Sequence, residues 1–215
     1  MRDMQSALAV LGAYLIGSMS FAIVLSRLAG MPDPRSYGSR NPGATNVLRS
    51  GRKLVAALTL LGDGGKGWLA VFLVQLWTGQ SALGSLDVPL AGVAVFLGHL
   101  FPVFHRFAGG KGVATAAGVL LAFNVWLGLA TLVTWLAMFA FFRISSLAGL
   151  VAAVFAPFYA FWLFGLQPVL PAVVAIAVLM AWRHKDNLRR LLSGAESRVG
   201  DKASPPPRDP SAGAP

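Results

Sequence analysis

The chain has 215 residues, of which 56% are hydrophobic and only 12% are charged, and its formal net charge is +10. A typical soluble domain has about 25% charged residues, so this composition cannot cover a globular surface with polar side chains and excludes an ordinary soluble fold. The sequence contains no cysteine, which excludes a disulfide framework and thiolate metal sites.

Five apolar stretches are candidates for membrane-spanning helices, because a helix needs about 20 apolar residues to cross the hydrocarbon core. They are Ser6–Leu28, Leu54–Thr78, Asp87–Phe104, Gly112–Phe142 and Ile144–Trp182. The first has no convincing small-residue cleavage site, so we interpret it as a retained span and not as a signal peptide. The last is too long for one crossing and is predicted to turn at residues 165–168, where Gly and Pro interrupt it.

The stretch Gly112–Phe142 allows two interpretations, one long tilted helix or two helices that turn near Asn124. Splitting it gives seven spans and places every basic connection on one side of the membrane. The uncharged connections 79–86, 123–125 and 165–167 then lie on the other side. The positive-inside rule therefore predicts an all-α integral membrane protein with seven transmembrane helices, the N-terminus outside and the C-terminus cytoplasmic. In such a protein the basic excess indicates topology, lipid headgroups or phosphorylated substrates, and not nucleic acid.

Residues 1–196 are predicted to form the membrane domain, and residues 197–215 a disordered cytoplasmic tail. The tail contains Pro205–Pro207 surrounded by Ser, Gly, Ala and further Pro. Such a segment has little apolar surface to bury on folding.

Three polar islands interrupt the apolar sequence, and all three face the cytoplasm in the seven-span interpretation. The first, Tyr37–Arg49, combines hydroxyls, amides, glycines and two guanidiniums that could bind a phosphate, although a solvated loop whose arginines set topology is the simpler interpretation. The second, His99–Thr115, contains consecutive glycines before a helix, a backbone arrangement that favours anions. A similar Gly-Gly-Lys-Gly string recurs at residues 64–67, so taken alone it is a weak signal.

The third island, His184–Glu196, follows the last apolar stretch and could form an amphipathic interfacial helix. Its His184 and Asn187 are three residues apart and share a helix face. One further pair, Asp63 and Lys66, lies inside a predicted span. We interpret it as a buried structural ion pair, with a proton relay or a substrate contact as alternatives.

Together these islands resemble the bacterial acyl-phosphate:glycerol-3-phosphate acyltransferase family (PlsY). The matching residues of the first island are Ser39, Asn41, Gly43, Ala44, Thr45, Asn46 and Arg49. Those of the second are Gly98, His99, Pro102, Phe104 and 109–115, and those of the third are His184, Asn187, Arg190, Leu191, Gly194 and Glu196. The resemblance covers residues 6–196 and departs from the family pattern at Arg40, Ala108 and Ala195.

The resemblance implies a seven-helix enzyme of the bacterial inner membrane whose active site faces the cytoplasm. It implies transfer of a fatty acyl group from acyl-phosphate to the 1-hydroxyl of glycerol 3-phosphate, which gives lysophosphatidate and phosphate, the first acylation of phospholipid synthesis. The implied partners are these two substrates and membrane lipid, with the enzyme that makes acyl-phosphate as a further candidate. No cofactor, metal or nucleic acid is expected.

The resemblance also implies roles for individual residues. The residues expected to carry catalysis are His184, Asn187, Ser39, Arg49 and Lys111. Substrate binding is assigned to Asn41, Gly43, Thr45, Asn46, His99, Gly109, Gly110, Gly112 and Thr115, with residues 109–112 as the cradle of glycerol 3-phosphate. Structural support is assigned to Asp63, Lys66 and Glu196. Either His184 or the phosphate of the substrate would accept the proton of the attacking hydroxyl.

A small membrane transporter of a phosphorylated or anionic solute is the alternative function, with the glycine loops as anion sites in broken helices. Transporters tend to place such sites at the membrane midplane between repeated halves. The sequence has no convincing inverted repeat, and its polar islands are predicted on one face.

Overall fold

A computed structural model describes residues 2–79, 81–82 and 86–200, and within them the regular structure is entirely helical. The α-helices are α1 Arg2–Gly17, α2 Phe21–Leu28, α3 Ala44–Arg49, α4 Lys53–Thr78, α5 Asp87–Leu100, α6 Val113–Phe123, α7 Val125–Phe142, α8 Ser145–Phe164, α9 Val169–Arg183 and α10 Lys185–Leu192. A short 3-10 helix, Val103–His105, follows α5.

The helix breaks predicted at Asn124 and after Phe164 are confirmed. Asn124 has an extended backbone, and its side-chain oxygen accepts the N–H groups of Trp126 and Leu127 at 2.9 and 3.3 Å. It therefore ends α6 and caps α7, as an amide residue at an N-cap commonly does. Gly165, with φ +65°, ends α8 in a conformation that glycine adopts at low cost.

The first apolar stretch, predicted as one span, is bent, because α1 and α2 meet at 42°. The pair on α4 explains how the break is tolerated. Asp63 accepts the N–H of Phe21 at 3.4 Å, and Lys66 donates to the carbonyl of Met19 at 2.6 Å. Asp63 and Lys66 are 2.9 Å apart, and each side chain is 3% exposed. Main-chain groups released by the break thus find partners inside the protein, as a helix interrupted in lipid requires.

Four helical segments of the described residues are long and apolar enough to cross a membrane, or five if α1 and α2 form one bent span. The four are α4, α5 with its 3-10 extension, α7 and α8, whereas α6 and α9 are shorter apolar helices. Large side chains such as Phe141 and Trp162 are almost fully exposed, which suits contact with lipid. The count of seven spans and the orientation of the termini stay predictions.

Close helix packing depends on small residues. A Cβ atom on Gly118 of α6 would lie 1.9 Å from the carbonyl oxygen of Gly64 on α4, and one on Gly98 of α5 would lie 2.2 Å from the carbonyl oxygen of Tyr14 on α1. Glycines at such contacts let helix backbones approach closely, as is common in membrane proteins. α6 also packs against α5, α7 and α9, and α8 lies between α7 and α9.

The last described residues run back over the helix ends. Ser197 accepts a hydrogen bond from Arg49 at 2.7 Å, and the N–H of Val199 donates to the carbonyl of Arg143 at 2.8 Å. The segment predicted to be a free tail therefore begins in contact with the domain. Residues 201–215, the rest of that prediction, lie outside the described residues.

Candidate active site

A cavity of about 800 Å³ lies where the three polar islands meet. Its walls come from the segment before α3, from α3 and α4, and from the end of the glycine loop, which we define as residues 109–112. The start of α6, α7 and the start of α8 also contribute. His99 near the end of α5, His184, α10 and residues 195–197 and 199 complete it. The volume falls within the range typical of pockets for small molecules.

The first island forms a loop that leads into α3, and Asn46 holds the loop together. Asn46 is 2% exposed, and its amide nitrogen donates to the carbonyls of Pro34 and Tyr37 at 2.7 and 3.2 Å. Its side-chain oxygen accepts the N–H of Ser39 at 2.9 Å. Because both ends of the amide are used inside the loop, Asn46 positions Ser39 at the cavity.

The second island contributes Lys111 and Gly112 to the cavity, whereas Gly109 and Gly110 do not line it. Both of these glycines are buried against the end of α5. A Cβ atom on Gly109 would lie 2.1 Å from the carbonyl oxygen of His99, and one on Gly110 would lie 2.3 Å from the His99 imidazole. Of the four residues predicted to cradle a phosphate, two line this cavity, and the phosphate contact itself stays a prediction. The absence of a side chain at Gly109 and Gly110 allows this segment to pack closely against His99, behind Lys111.

The third island joins Lys111 through a chain of hydrogen bonds. The Lys111 ammonium donates to the side-chain oxygen of Asn187, and the Asn187 amide donates to Glu196 at 2.5 Å. The same Glu196 oxygen accepts from Ser146 at 2.7 Å, while its other oxygen pairs with Arg190 at 2.6 Å. The carboxylate thus orients Asn187, and Asn187 in turn orients Lys111.

Burial and neighbouring charges change the pKa values of this chain. Burial lowers the pKa of Lys111 to about 8; Glu196 opposes this shift, and the guanidiniums of Arg190, Arg49 and Arg183 reinforce it. Burial alone would raise the pKa of Glu196, but its hydrogen-bond donors outweigh that effect and lower it. At neutral pH the chain therefore holds an ammonium next to the cavity and an ionised carboxylate behind it.

His184, between α9 and α10, is 1% exposed and lines the cavity. Its Nδ1 lies 2.8 Å from the carbonyl oxygen of Met180. Burial lowers the pKa of His184 to about 4, so the imidazole is neutral at pH 7. Because a carbonyl only accepts hydrogen bonds, Nδ1 carries the proton and Nε2 is left as an acceptor.

The predicted supports on α4 lie beside the polar end of the cavity. Asp63 and His99 line the cavity, with the carboxylate 3.7 Å from the imidazole, whereas Lys66 does not line it. Thr115 does not line it either. Its hydroxyl is buried and donates to the main-chain carbonyl of Asp63 at 3.0 Å, so it joins α6 to α4 and is not placed to bind a substrate.

The structure brings most of the predicted site residues to one cavity. All five residues assigned to catalysis line it: Ser39, Arg49, Lys111, His184 and Asn187. Among the residues assigned to substrate binding, those that line it are Asn41, Gly43, Thr45, Asn46, His99 and Gly112. Glu196 lines it as well. Among residues 2–79, 81–82 and 86–200, no three His, Asp or Glu side chains are grouped to hold a metal ion.

Sequence reasoning also missed further polar residues at the site, among them two serines and an arginine. Ser145 lines the cavity and shares a hydrogen bond with Thr45 at 3.1 Å, and Ser146 binds Glu196. Arg183 binds the glycine loop. The serines follow Arg143 between two apolar stretches, on the same predicted side as the islands, and this polar cluster was the available signal.

The other end of the cavity is apolar. Its wall there includes Trp135, Leu136 and Phe139 of α7. A smaller apolar pocket between α6, α7, α8 and α9 shares Trp135 and Leu132 with the cavity. The cavity therefore joins a cationic polar end to an apolar end, and a second, apolar pocket lies next to it among the helices.

Comparisons with known proteins agree with this arrangement. The family model described as "Glycerol-3-phosphate acyltransferase" matches residues 7–194. The chain is 60% identical over 193 residues to the glycerol-3-phosphate acyltransferase of Ralstonia nicotianae, covering 90% of this chain and 93% of the relative. It is 62% identical over 201 residues to that of Burkholderia pseudomallei, covering 93% of this chain and 98% of the relative.

Two solved structures are also similar. Both are crystal structures of PlsY, an integral membrane glycerol 3-phosphate acyltransferase. The glycerol 3-phosphate form superposes with a TM-score of 0.85 at 37% identity, covering 91% of this chain and 96% of that one. The lysophosphatidic acid form gives a TM-score of 0.82 at 36% identity, covering 90% of this chain and 94% of that one.

Proposed function

The chain belongs to the glycerol-3-phosphate acyltransferase family, and we propose that it transfers a fatty acyl group from acyl-phosphate to the 1-hydroxyl of glycerol 3-phosphate. The products are 1-acylglycerol 3-phosphate and inorganic phosphate, in the first acylation of phospholipid synthesis. Its relatives' names and the glycerol 3-phosphate form of PlsY support the acceptor. Family membership favours this function over the anion transporter considered as an alternative.

The single observation that carries the proposal is the two-sided character of the cavity. Arg49, Lys111 and Arg190 supply positive charge at one end, and Trp135 and Phe139 supply apolar surface at the other. Cationic donors suit phosphate groups, which both substrates carry. The apolar end suits a fatty chain, which only the donor carries. A cavity of this kind fits an amphipathic anion and a small polar anion together.

Direct acyl transfer in a ternary complex fits the residues at hand. Acyl-phosphate is a mixed anhydride with a good leaving group, and the sequence has neither a cysteine nor a Gly-x-Ser-x-Gly nucleophile motif. The hydroxyl oxygen attacks the acyl carbon, the bond from that carbon to the phosphate oxygen breaks, and phosphate leaves. We assign the donor phosphate to Ser39 and Arg49 and the acceptor phosphate to Lys111 and Gly112. Positioning and charge stabilisation then supply most of the acceleration.

The neutral His184 is assigned to the attacking hydroxyl. Its Nε2 can accept the hydroxyl hydrogen bond and aim the oxygen at the acyl carbon. With a pKa of about 4 it is a weak base, so we assign the final proton to an oxygen of the departing phosphate. Efficient general bases have a pKa close to the working pH, and phosphate meets that condition better.

The donor assignment is tested with purified protein in detergent or lipid cubic phase. We expect lysophosphatidate from acyl-phosphate and glycerol 3-phosphate, and no product from acyl-CoA, because the sequence contains no recognisable motif for a nucleotide pocket. Product is measured by mass spectrometry, with the His184→Ala variant as the matched inactive control. Comparable turnover with acyl-CoA would refute the donor assignment while leaving the acceptor assignment intact.

The proposed placement is the bacterial inner membrane, with seven spans and the active site on the cytoplasmic side. The helix breaks at Asn124 and Gly165 support this count, because they divide the last two apolar stretches as seven spans require. The basic connections and the cavity also lie at one end of the helices, the end that carries Arg49, Lys111 and Arg190. Membrane lipid and the enzyme that makes acyl-phosphate are the proposed partners.

Labelling of single cysteines in intact cells tests this topology. Cysteines at Arg143 and Arg189 should react only after the membrane is permeabilised, whereas a cysteine at Ser81 should react from outside. The natural absence of cysteine makes the background silent. Labelling of Arg143→Cys and Ser81→Cys from the same side would contradict the seven-span topology.

A further inference from the structure

Arg183, the last residue of α9, binds two main-chain carbonyl groups of the glycine loop. Its Nη2 donates to the carbonyl oxygen of Gly109 at 2.8 Å, and its Nε donates to that of Gly110 at 3.2 Å. The guanidinium also lies 5.9 Å from the ring centres of Phe101 and Trp182. Arg183 does not line the cavity, so it is not placed to touch a substrate.

This contact fixes which way the loop peptides face. In a trans peptide the C=O and the following N–H point in opposite directions. With the Gly109 carbonyl on Arg183, the N–H of Gly110 faces the other way, where it donates to the carbonyl of His99 at 3.1 Å. With the Gly110 carbonyl on Arg183, the N–H of Lys111 likewise points away from the guanidinium. The orientation of two successive peptides therefore depends on one side chain.

A second hydrogen bond, made by a side chain, also holds the loop, but a bound substrate would compete for that side chain. The Lys111 ammonium is bound to Asn187, and a phosphate anion in the cavity would draw this ammonium toward itself. The Arg183 contact uses main-chain carbonyls outside the cavity and is not in competition with a ligand. Only the planar fork of an arginine spans two carbonyls in this way.

We propose that Arg183 is a positioning residue that holds the Gly109–Gly110 segment, and so places Lys111, for binding of glycerol 3-phosphate. Arg183 and His184 are adjacent in the chain. The end of α9 therefore both presents the imidazole to the cavity and holds the glycine loop in position. The inference takes its ligand from the proposed function, but it does not depend on the acyl donor. For this role Arg183 does not need to contact the phosphate.

The test is calorimetric binding of glycerol 3-phosphate to purified protein without any acyl donor. We expect roughly ten-fold weaker binding by Arg183→Ala, because charged hydrogen bonds that position the loop are lost. Arg183→Lys should bind with intermediate affinity, since an ammonium reaches one carbonyl at a time. Free guanidinium at millimolar concentration should restore part of the affinity of Arg183→Ala and none of that of Arg183→Lys.

The matched control is Arg189→Ala, which removes an exposed arginine of α10 that pairs only loosely with Asp186. It should bind like the wild type. Binding by Arg183→Ala within two-fold of the wild type would overturn the proposal. A parallel loss of thermal stability and affinity that guanidinium does not restore would also overturn it, because it would show a purely structural role. If Arg183→Ala does not fold, wild-type affinity in Arg183→Lys overturns the proposal and weaker binding supports it.

The design separates this inference from the proposed function. Wild-type protein that binds glycerol 3-phosphate but makes no product from acyl-phosphate would contradict the donor assignment alone. In the transfer assay, the Arg183 variants should raise KM for glycerol 3-phosphate while KM for the acyl donor stays unchanged. A rise in KM for the donor alone would overturn the positioning role.

Discussion

Replacing Lys111 with Met is expected to weaken the apparent affinity for glycerol 3-phosphate by about ten- to hundred-fold. The change removes an ammonium from the polar end of the cavity, and loss of a charge-assisted hydrogen bond typically costs about 1.5–3 kcal/mol. It also leaves the side-chain oxygen of Asn187 without its donor. The measurement is steady-state kinetics with each substrate varied in turn.

Affinity for acyl-phosphate should change much less, because its phosphate is assigned to Ser39 and Arg49. Lys185→Met is the matched control, since Lys185 is exposed on α10 and does not line the cavity. It should keep wild-type kinetics. An unchanged KM for glycerol 3-phosphate in Lys111→Met would show that the acceptor phosphate binds elsewhere.

The pH dependence of the same residue has a definite sign. Because the pKa of Lys111 is lowered to about 8, its charge is present below that pH and is lost as the pH rises through it. We therefore expect kcat/KM for glycerol 3-phosphate to fall above about pH 8. Arginine stays protonated over this range, so Lys111→Arg should lose the alkaline fall relative to its own maximum. An unchanged profile would assign the fall to another group.

Replacing Gly118 with Ala is expected to have the largest effect on stability. The new methyl would lie 1.9 Å from the carbonyl oxygen of Gly64 and 2.9 Å from the backbone nitrogen of Trp68. Both neighbours are main chain of α4 and cannot rotate away, so α4 and α6 must separate. Overpacking of this kind costs about 1–3 kcal/mol, or roughly 2–12 °C in Tm for a chain of this size.

The matched control is Gly65→Ala on α4, one residue after the contact, where an added Cβ meets nothing within 4 Å. Alanine favours a helix over glycine by about 1 kcal/mol, so this variant should be as stable as the wild type or slightly more stable. Thermal unfolding in detergent and size-exclusion profiles measure both variants. Equal stability of Gly118→Ala and Gly65→Ala would contradict the close approach of α4 and α6.

Local signals predicted the helix boundaries well. Asn124 and Gly165 end helices because an amide caps a helix start and a glycine adopts a left-handed conformation, and both effects depend only on neighbouring residues. The bend between α1 and α2 was not predicted, because the groups that satisfy it, Asp63 and Lys66, come from another helix. Their i, i+3 pairing was visible in the sequence, but their main-chain partners were not.

In the candidate site, too, local sequence signals predicted one part, and contacts between distant segments decided the rest. The resemblance of the three polar islands to the acyltransferase family assigned Ser39, Arg49, Lys111, His184 and Asn187 to one site, and all five line the same cavity. The sequence did not show that Gly109 and Gly110 pack behind Lys111 and do not line the cavity. Whether a peptide turns its N–H toward a ligand depends on what holds its carbonyl, and here that group is Arg183, more than seventy residues away.

By itself, the sequence determined the membrane class, the family and the helix breaks at Asn124 and Gly165, because these depend on composition, on motif spacing and on local conformation. The tertiary structure decided which groups touch. It joined Lys111 to Glu196 through Asn187, left the Nε2 of His184 as an acceptor, and placed the apolar wall of α7 beside the cationic end. Each of these outcomes results from burial and from hydrogen bonds between distant segments, which no local pattern of residues specifies.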